Sequence, residues 1–193
     1  MKPKAKNARI KREYAIYLKE AKRQSEASID KALASIAAFE KHTRHADFAA
    51  FKPSDAISFK DGLRKQRNAR TGVPISESTI VHALQALKGF FLWLAGRQGY
   101  RRTLRYTDAD YFNPSNRETK IGRAERDSIG PTIEQVRHVV ERMPSATDIE
   151  KRDRALVAFT LLSGVRDAAL ISLRLGDVDL RARSVDQDAR HVK

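Results

Sequence analysis

Apolar residues recur at three- and four-residue spacings along most of this chain, and that period predicts helices. Ile10, Tyr14, Tyr17, Leu18 and Ala21 mark a first helix, and Ile29, Leu33, Ile36 and Ala37 mark a second within IDKALASIAAFEKH. Pro53 and Ser54, followed by Asp55, open a short third helix (DAISFKDGLRKQ), which Thr71-Gly72-Val73-Pro74 ends. The strongest stripe runs from about Ser78 to Ala95. Ile80, Leu84, Leu87, Phe91 and Leu94 form it, and Val81, Phe90 and Trp93 widen it, so this fourth helix is the expected centre of a small helical core. Its opposite face carries Thr79, His82, Gln85 and Lys88.

The period fades from Gly96 to Gly130, a stretch rich in Arg, Asn, Gly and Asp that reads as a domain boundary, with the linker proper at 113–130. A second unit starts at Pro131. Thr132 and Gln135 have the spacing of a capping box, and Val136, Val139, Val140 and Met143 give the helix behind them an apolar side. Pro144 closes it. DIEKRDRALVAFTLLSG then rises into a run, Ala155 to Leu162, that is apolar on all sides except Thr160, as expected of a helix buried in a larger body. A last helix (Leu170, Ile171, Leu173, Leu175) leads to Gly176, and VDLRARSVDQDARHVK reads as a strand or hairpin just begun, so the second domain is expected to be cut short. The resulting scheme is a basic N-terminal arm or helix (1–24), a helical domain (25–112), a linker (113–130) and an incomplete second domain (131–193), mainly α overall.

Charge adds a partner to this scheme. Over 193 residues, 38 Lys+Arg against 24 Asp+Glu give a formal net charge of +14. The excess is uneven: residues 1–24 carry nine basic and two acidic side chains, 60–70 and 97–126 each add +4, and 127–193 sums to zero. Basic side chains concentrated in this way imply a polyanion, because neutralising phosphates releases condensed counterions. Cysteine is absent, which excludes disulfides, thiolate zinc sites and cysteine nucleophiles. No apolar stretch reaches the roughly 18 residues of a membrane span and no signal-peptide block opens the chain, so no membrane partner and a cytoplasmic location are expected. His42, His45, His82, His138 and His191 form no ligand pattern, and there is no Gly-rich phosphate loop. Neither metal nor cofactor is expected.

Three stretches carry a resemblance to a known family. SESTIVHALQALKGFFLWLAGRQGY resembles the last long helix of the core-binding domain of tyrosine recombinases, the phage-type integrases, particularly those of bacterial mobile elements. PTIEQVRHVV resembles the helix that opens their catalytic domain, and LLSGVRDAALISLRLGDVDL resembles the segment bearing the first catalytic arginine. The resemblance implies a helical, SAM-like DNA clamp followed by the start of an α+β catalytic domain. It implies double-stranded DNA as partner, nucleoid association, and self-association on DNA in the full-length protein. Arg166 is then the catalytic arginine: its planar, permanently charged guanidinium suits a transition state that spreads negative charge over phosphate oxygens. A plain alternative is an exposed arginine paired with Asp167 or Asp177.

Two departures matter. Where the family often has an acid three positions after this arginine, the chain has Ala169. All five tyrosines (Tyr14, Tyr17, Tyr100, Tyr106, Tyr111) precede Arg166, and nothing matches the His-x-x-Arg box, so the chain as given is expected to bind DNA without cutting it. The expected DNA contacts are Lys60, Arg64, Lys65, Arg67 and Arg70, on and after the third helix, and Thr79, His82 and Lys88 on the fourth. The aromatics among the arginines of 97–112 either grip nucleic acid or cover the end of the core. A helical DNA-binding module without enzymology, such as a regulator or nucleoid protein, is the alternative, and an adaptor for acidic proteins a weaker third.

Overall fold

The computed structural model describes residues 4–124, 130–188 and 190. The chain divides into two compact units, Met1–Arg126 and Asp127–Lys193. The fold is mainly α, as the apolar period predicts; among the described residues the only strands form one two-stranded hairpin.

The first unit contains α1 (Ala5–Glu20), α2 (Glu26–His42), α3 (Pro53–Lys65), α4 (Glu77–Ala95) and α5 (Asn116–Arg123), with 3₁₀ turns at Phe48–Ala50 and Tyr106–Phe112. Helix α4 is its axis, for the reason its stripe gives. Leu84, Leu87, Phe90 and Leu94 are fully buried, and Ile36 and Phe39 of α2 and Phe112 of the second 3₁₀ turn meet them. Phe39 stands edge-on to Phe59, Phe91 and Phe112, with centroids 5.3, 5.6 and 5.3 Å away. Each such pair adds about 0.5–1.5 kcal/mol beyond burial. Serine caps begin α2 and α4: the Ser25 and Ser76 hydroxyls accept from the backbone N–H of Ser28 and Thr79. At α3 it is not Ser54 that caps. The Asp55 carboxylate accepts from the Lys52 N–H at 2.9 Å, and Pro53 occupies the first turn, where its missing N–H costs nothing.

The sequence leaves open whether the N-terminal segment is an arm or a loose lead. Helix α1 is a wall of the bundle, with Asn7, Ile10, Tyr14 and Leu18 buried. A polar knot fixes it. Asn7 Nδ2 donates to Glu40 Oε1 (3.0 Å) and to the Ala46 carbonyl (2.8 Å), and Lys11 Nζ donates to Glu40 Oε2 at 2.5 Å. Burial alone would raise the Glu40 carboxyl, but the hydrogen bonds from Lys11 and Asn7 and the charge of Lys11 hold it below the ordinary range.

Much of the expected boundary region builds this unit. Tyr100, Leu104, Ala109 and Phe112 are buried in the core, so Tyr100 and Phe112 cover its end, whereas Tyr106 and Tyr111 stay exposed. The expected linker 113–130 contains α5, which packs on α4; a Cβ on Gly122 would lie 3.3 Å from the Ser78 backbone. Ser115 and Glu118 start this helix reciprocally, with Ser115 N–H donating to Glu118 Oε2 at 2.6 Å and Glu118 N–H to Ser115 Oγ at 3.2 Å. A pattern that runs only eight residues is too short for the period to reveal.

The second unit holds α6 (Ile133–Arg142), α7 (Asp148–Ser163), a one-turn α8 (Asp167–Leu170), a 3₁₀ turn at Leu175–Asp177 and the hairpin β1 (Val178–Asp179) with β2 (Ser184–Val185), in register Val178 to Val185. Thr132 and Gln135 form the expected capping box, with 2.9 and 3.3 Å bonds. Two expectations fail here. The apolar run of α7 is not buried: Leu156, Val157 and Leu161 are about two-fifths exposed and Leu162 is 86% exposed. The last helix shrinks to four residues, and Ile171 and Leu175 stand in solvent. Helical stability comes mostly from packing an apolar face, and α6 covers only part of α7, leaving Ala158 and Phe159 half-buried while the leucines stay exposed.

Candidate nucleic-acid interface

Three elements of the first unit leave a groove between them. Small residues set its depth: Ala32 of α2 and Ala83, Ala86 and Gly89 of α4 lie along it, and Tyr14 and Leu18 of α1 close one end. It encloses about 800 Å³. At Gly89 the fit is close, since a Cβ there would lie 3.3 Å from the Tyr14 hydroxyl. Burial, with Tyr17 nearby, pushes that hydroxyl up to about 12, so it stays neutral near pH 7.

The groove's rim is polar. Thr79, His82 and Gln85 line it from α4, and Ser28, Lys31 and Ser35 from α2. These side chains are donors and acceptors suited to phosphate oxygens and base edges. Thr79 and His82 are therefore where the sequence puts them, exposed on the polar face of α4. The α2 rim escapes the sequence reading, although its signal is present: Ile29, Leu33 and Ile36 point one face to the core, which leaves Ser28, Lys31 and Ser35 on another at helical spacing.

The remaining expected contacts lie elsewhere, and three are already engaged. Arg64 donates to Glu118 from Nε (2.8 Å) and Nη2 (2.6 Å) and to Asp61 from Nη1 (3.0 Å). Lys88 reaches Asn113 Oδ1 at 2.8 Å and Asp110 Oδ1 at 3.0 Å, joining α4 to the second 3₁₀ turn and the residue that caps it. Arg67 Nη1 donates to the Gly72 carbonyl at 3.0 Å, closing the loop after α3 that a bridge between Arg67 and Pro74 also pins. Lys60, Lys65 and Arg70 make no ion pair among the described residues; Lys65 and Arg70 are exposed and Lys60 is half-buried.

In the second unit Arg166 sits at the joint between α7 and α8. Gly164 ends α7 in the left-handed region (φ 63°), and its N–H donates to the Thr160 carbonyl at 2.9 Å. A side chain there would be strained. Ser163 Oγ accepts from the Val165 N–H at 3.3 Å, and Arg166, extended at φ −76° and ψ 150°, caps α8 through its carbonyl, which accepts from Ala169 and Leu170. The Arg166 side chain is exposed and pairs with neither Asp167 nor Asp177; the Asp177 carboxylate instead accepts from the Arg174 N–H. Gln187 reaches back to the Ala169 carbonyl (2.6 Å) and Ser172 Oγ (3.1 Å), tying the chain after the hairpin to the helix that Arg166 starts. His191 and Lys193 lie outside the described residues.

Among the described residues no group of His, Asp or Glu is arranged to hold a metal ion, and no helix is long and apolar enough to cross a membrane.

Over 134 residues the chain is 28% identical to the tyrosine recombinase XerC of Roseiflexus castenholzii. The alignment covers 68% of this chain and 37% of that protein, so the chain spans about a third of its relative's length. No family model matches the chain, and no solved structure matches it. The similarity supports a relation to the tyrosine recombinases.

Proposed function

We propose that the first unit clamps double-stranded DNA, and that the whole chain is the clamp and opening segment of a site-specific tyrosine recombinase, one of the integrase type carried by mobile elements. In the longer protein DNA is cut and rejoined through a phosphotyrosine, and Arg166 is a catalytic arginine on the scissile phosphate. The observation that carries this reading is the joint at Gly164, which holds one arginine in solvent, unpaired with the neighbouring acids, in a chain that resembles a recombinase. Duplex DNA is gripped by the polar groove between α2 and α4, with charge supplied from the basic segments around it.

Titration of duplex DNA at two salt concentrations tests the clamp. Binding that weakens steeply with salt is expected, and no binding at low salt overturns it. For Arg166 the test is the longer protein: Arg166→Ala should keep DNA affinity and lose strand cleavage, and unaltered cleavage removes the catalytic role. A non-enzymatic DNA-binding module remains the second reading, because the five tyrosines all lie before Arg166. Cleavage by the longer protein separates the two.

A further inference from the structure

The wall of the groove does not end at Gly89. On α4, Ala86 and Gly89 are followed at three- and four-residue steps by Trp93 and, just past the helix end, by Arg97, so one helical stripe continues beyond the groove. Tyr14 joins the two regions: it lines the groove and its ring lies 5.0 Å from Trp93.

This continuation sets cations against aromatic rings. Lys22 Nζ lies over the Tyr17 ring at 5.7 Å, Tyr17 is 5.8 Å from Trp93, and the Arg97 guanidinium stacks on Trp93 at 4.4 Å. Arg101 follows, with Nε donating to the Gly96 carbonyl at 2.9 Å, which fixes that side chain at the end of α4. Lys22, Arg97 and Arg101 form no ion pair among the described residues, in contrast with Arg64 and Lys88. Residues 96–107 contain four arginines and no acid. A guanidinium stacked on an indole is held in place while its N–H edges stay free for an anion.

We propose that Lys22, Arg97 and Arg101, held by Tyr17, Trp93 and the Gly96 carbonyl, form a second strip that binds the phosphate backbone of the same duplex the groove receives. From Thr79 to Arg97, at about 1.5 Å per helical residue, the two regions together span about 27 Å. That is about eight base-pair steps of 3.4 Å, so one duplex tracks both without bending. The strip reads no sequence: its groups are charges and ring faces, suited to phosphate positioning rather than to base edges.

The inference rests on the clamp reading, and the test separates the two. Duplex affinity is measured across salt for the parent chain and for Lys22→Gln/Arg97→Gln/Arg101→Gln, with far-UV circular dichroism and thermal melting to show that the fold persists. Every phosphate that the protein ceases to neutralise lowers the slope of log affinity against log salt by about 0.9, so the triple variant should show a slope smaller by about 2 to 3, equally on unrelated sequences. Arg97→Gln alone should lower it by about 1. An unchanged slope in a chain that still binds duplex overturns the strip and leaves the clamp standing. A parent chain without duplex affinity at low salt overturns both.

Discussion

Arg64 donates twice to one oxygen of Glu118, at 2.8 and 2.6 Å, and so joins α3 to α5 across 54 positions of sequence. The arginine that the sequence assigns to DNA thus holds the bundle together. Glu118 does two things at once, since its other oxygen starts α5 through the Ser115 N–H. Glu118→Ala should lower unfolding free energy by about 2 kcal/mol, and Arg64→Ala, whose side chain is 46% exposed, by about 1 kcal/mol or less. Urea denaturation measures both. Duplex affinity of Arg64→Ala should stay within about twofold of the parent, well inside the tenfold that 1.4 kcal/mol represents.

Changes in the groove should behave the opposite way. Lys31→Gln and His82→Ala replace exposed side chains on the rim, so stability should move by less than about 0.5 kcal/mol. Lys31→Gln should reduce the salt slope of duplex binding by about 1. Fluorescence anisotropy across salt reads the second effect.

Acid should unfold the first unit through two carboxylates. Glu40 and Glu118 are both held below the ordinary glutamate range despite burial, Glu40 by bonds from Lys11 and Asn7, Glu118 by bonds from the Ser115 backbone and Arg64. A depressed carboxyl stabilises the fold above its unfolded-state value and loses that contribution as pH falls through its folded-state value. Stability should therefore hold near neutrality and fall off below about pH 4.3. Glu40→Gln should flatten that fall, and thermal melting from pH 7 to pH 3 shows whether it does.

Gly62 sits mid-helix in α3 with no tight neighbour; an added Cβ would meet only His42 atoms at 3.9 Å. Gly62→Ala should stabilise the chain by about 0.5–1 kcal/mol, read as a higher denaturation midpoint.

Leu162, Ile171, Leu175 and Leu180 are each at least 85% exposed. Leu162→Lys/Leu175→Lys should leave the melting temperature unchanged and reduce self-association at high concentration, measured by light scattering.

What the sequence discloses follows the range over which its signals act. The α4 stripe, the Thr132–Gln135 box and the Gly164 joint are all set by residues within a turn or two, and the structure has each of them. The roles of Arg64 and Lys88 are not legible in the same way, because their partners, Glu118, Asp110 and Asn113, are more than 20 positions away; composition counts charge without showing what neutralises it. The burial of α1 is hidden for the same reason, since its decisive acid, Glu40, is 33 positions from Asn7. In the second unit an all-apolar run correctly signals a helix, but burial needs a neighbour that periodicity alone cannot supply.

Because Tyr14 touches both Phe90 and Trp93 while Asn7 reaches Glu40, helix α1 is masonry and not fringe. A shortened version beginning at Ser25 would open the long central helix to water along the side that those rings shelter. Anyone trimming this protein for crystallisation should cut elsewhere.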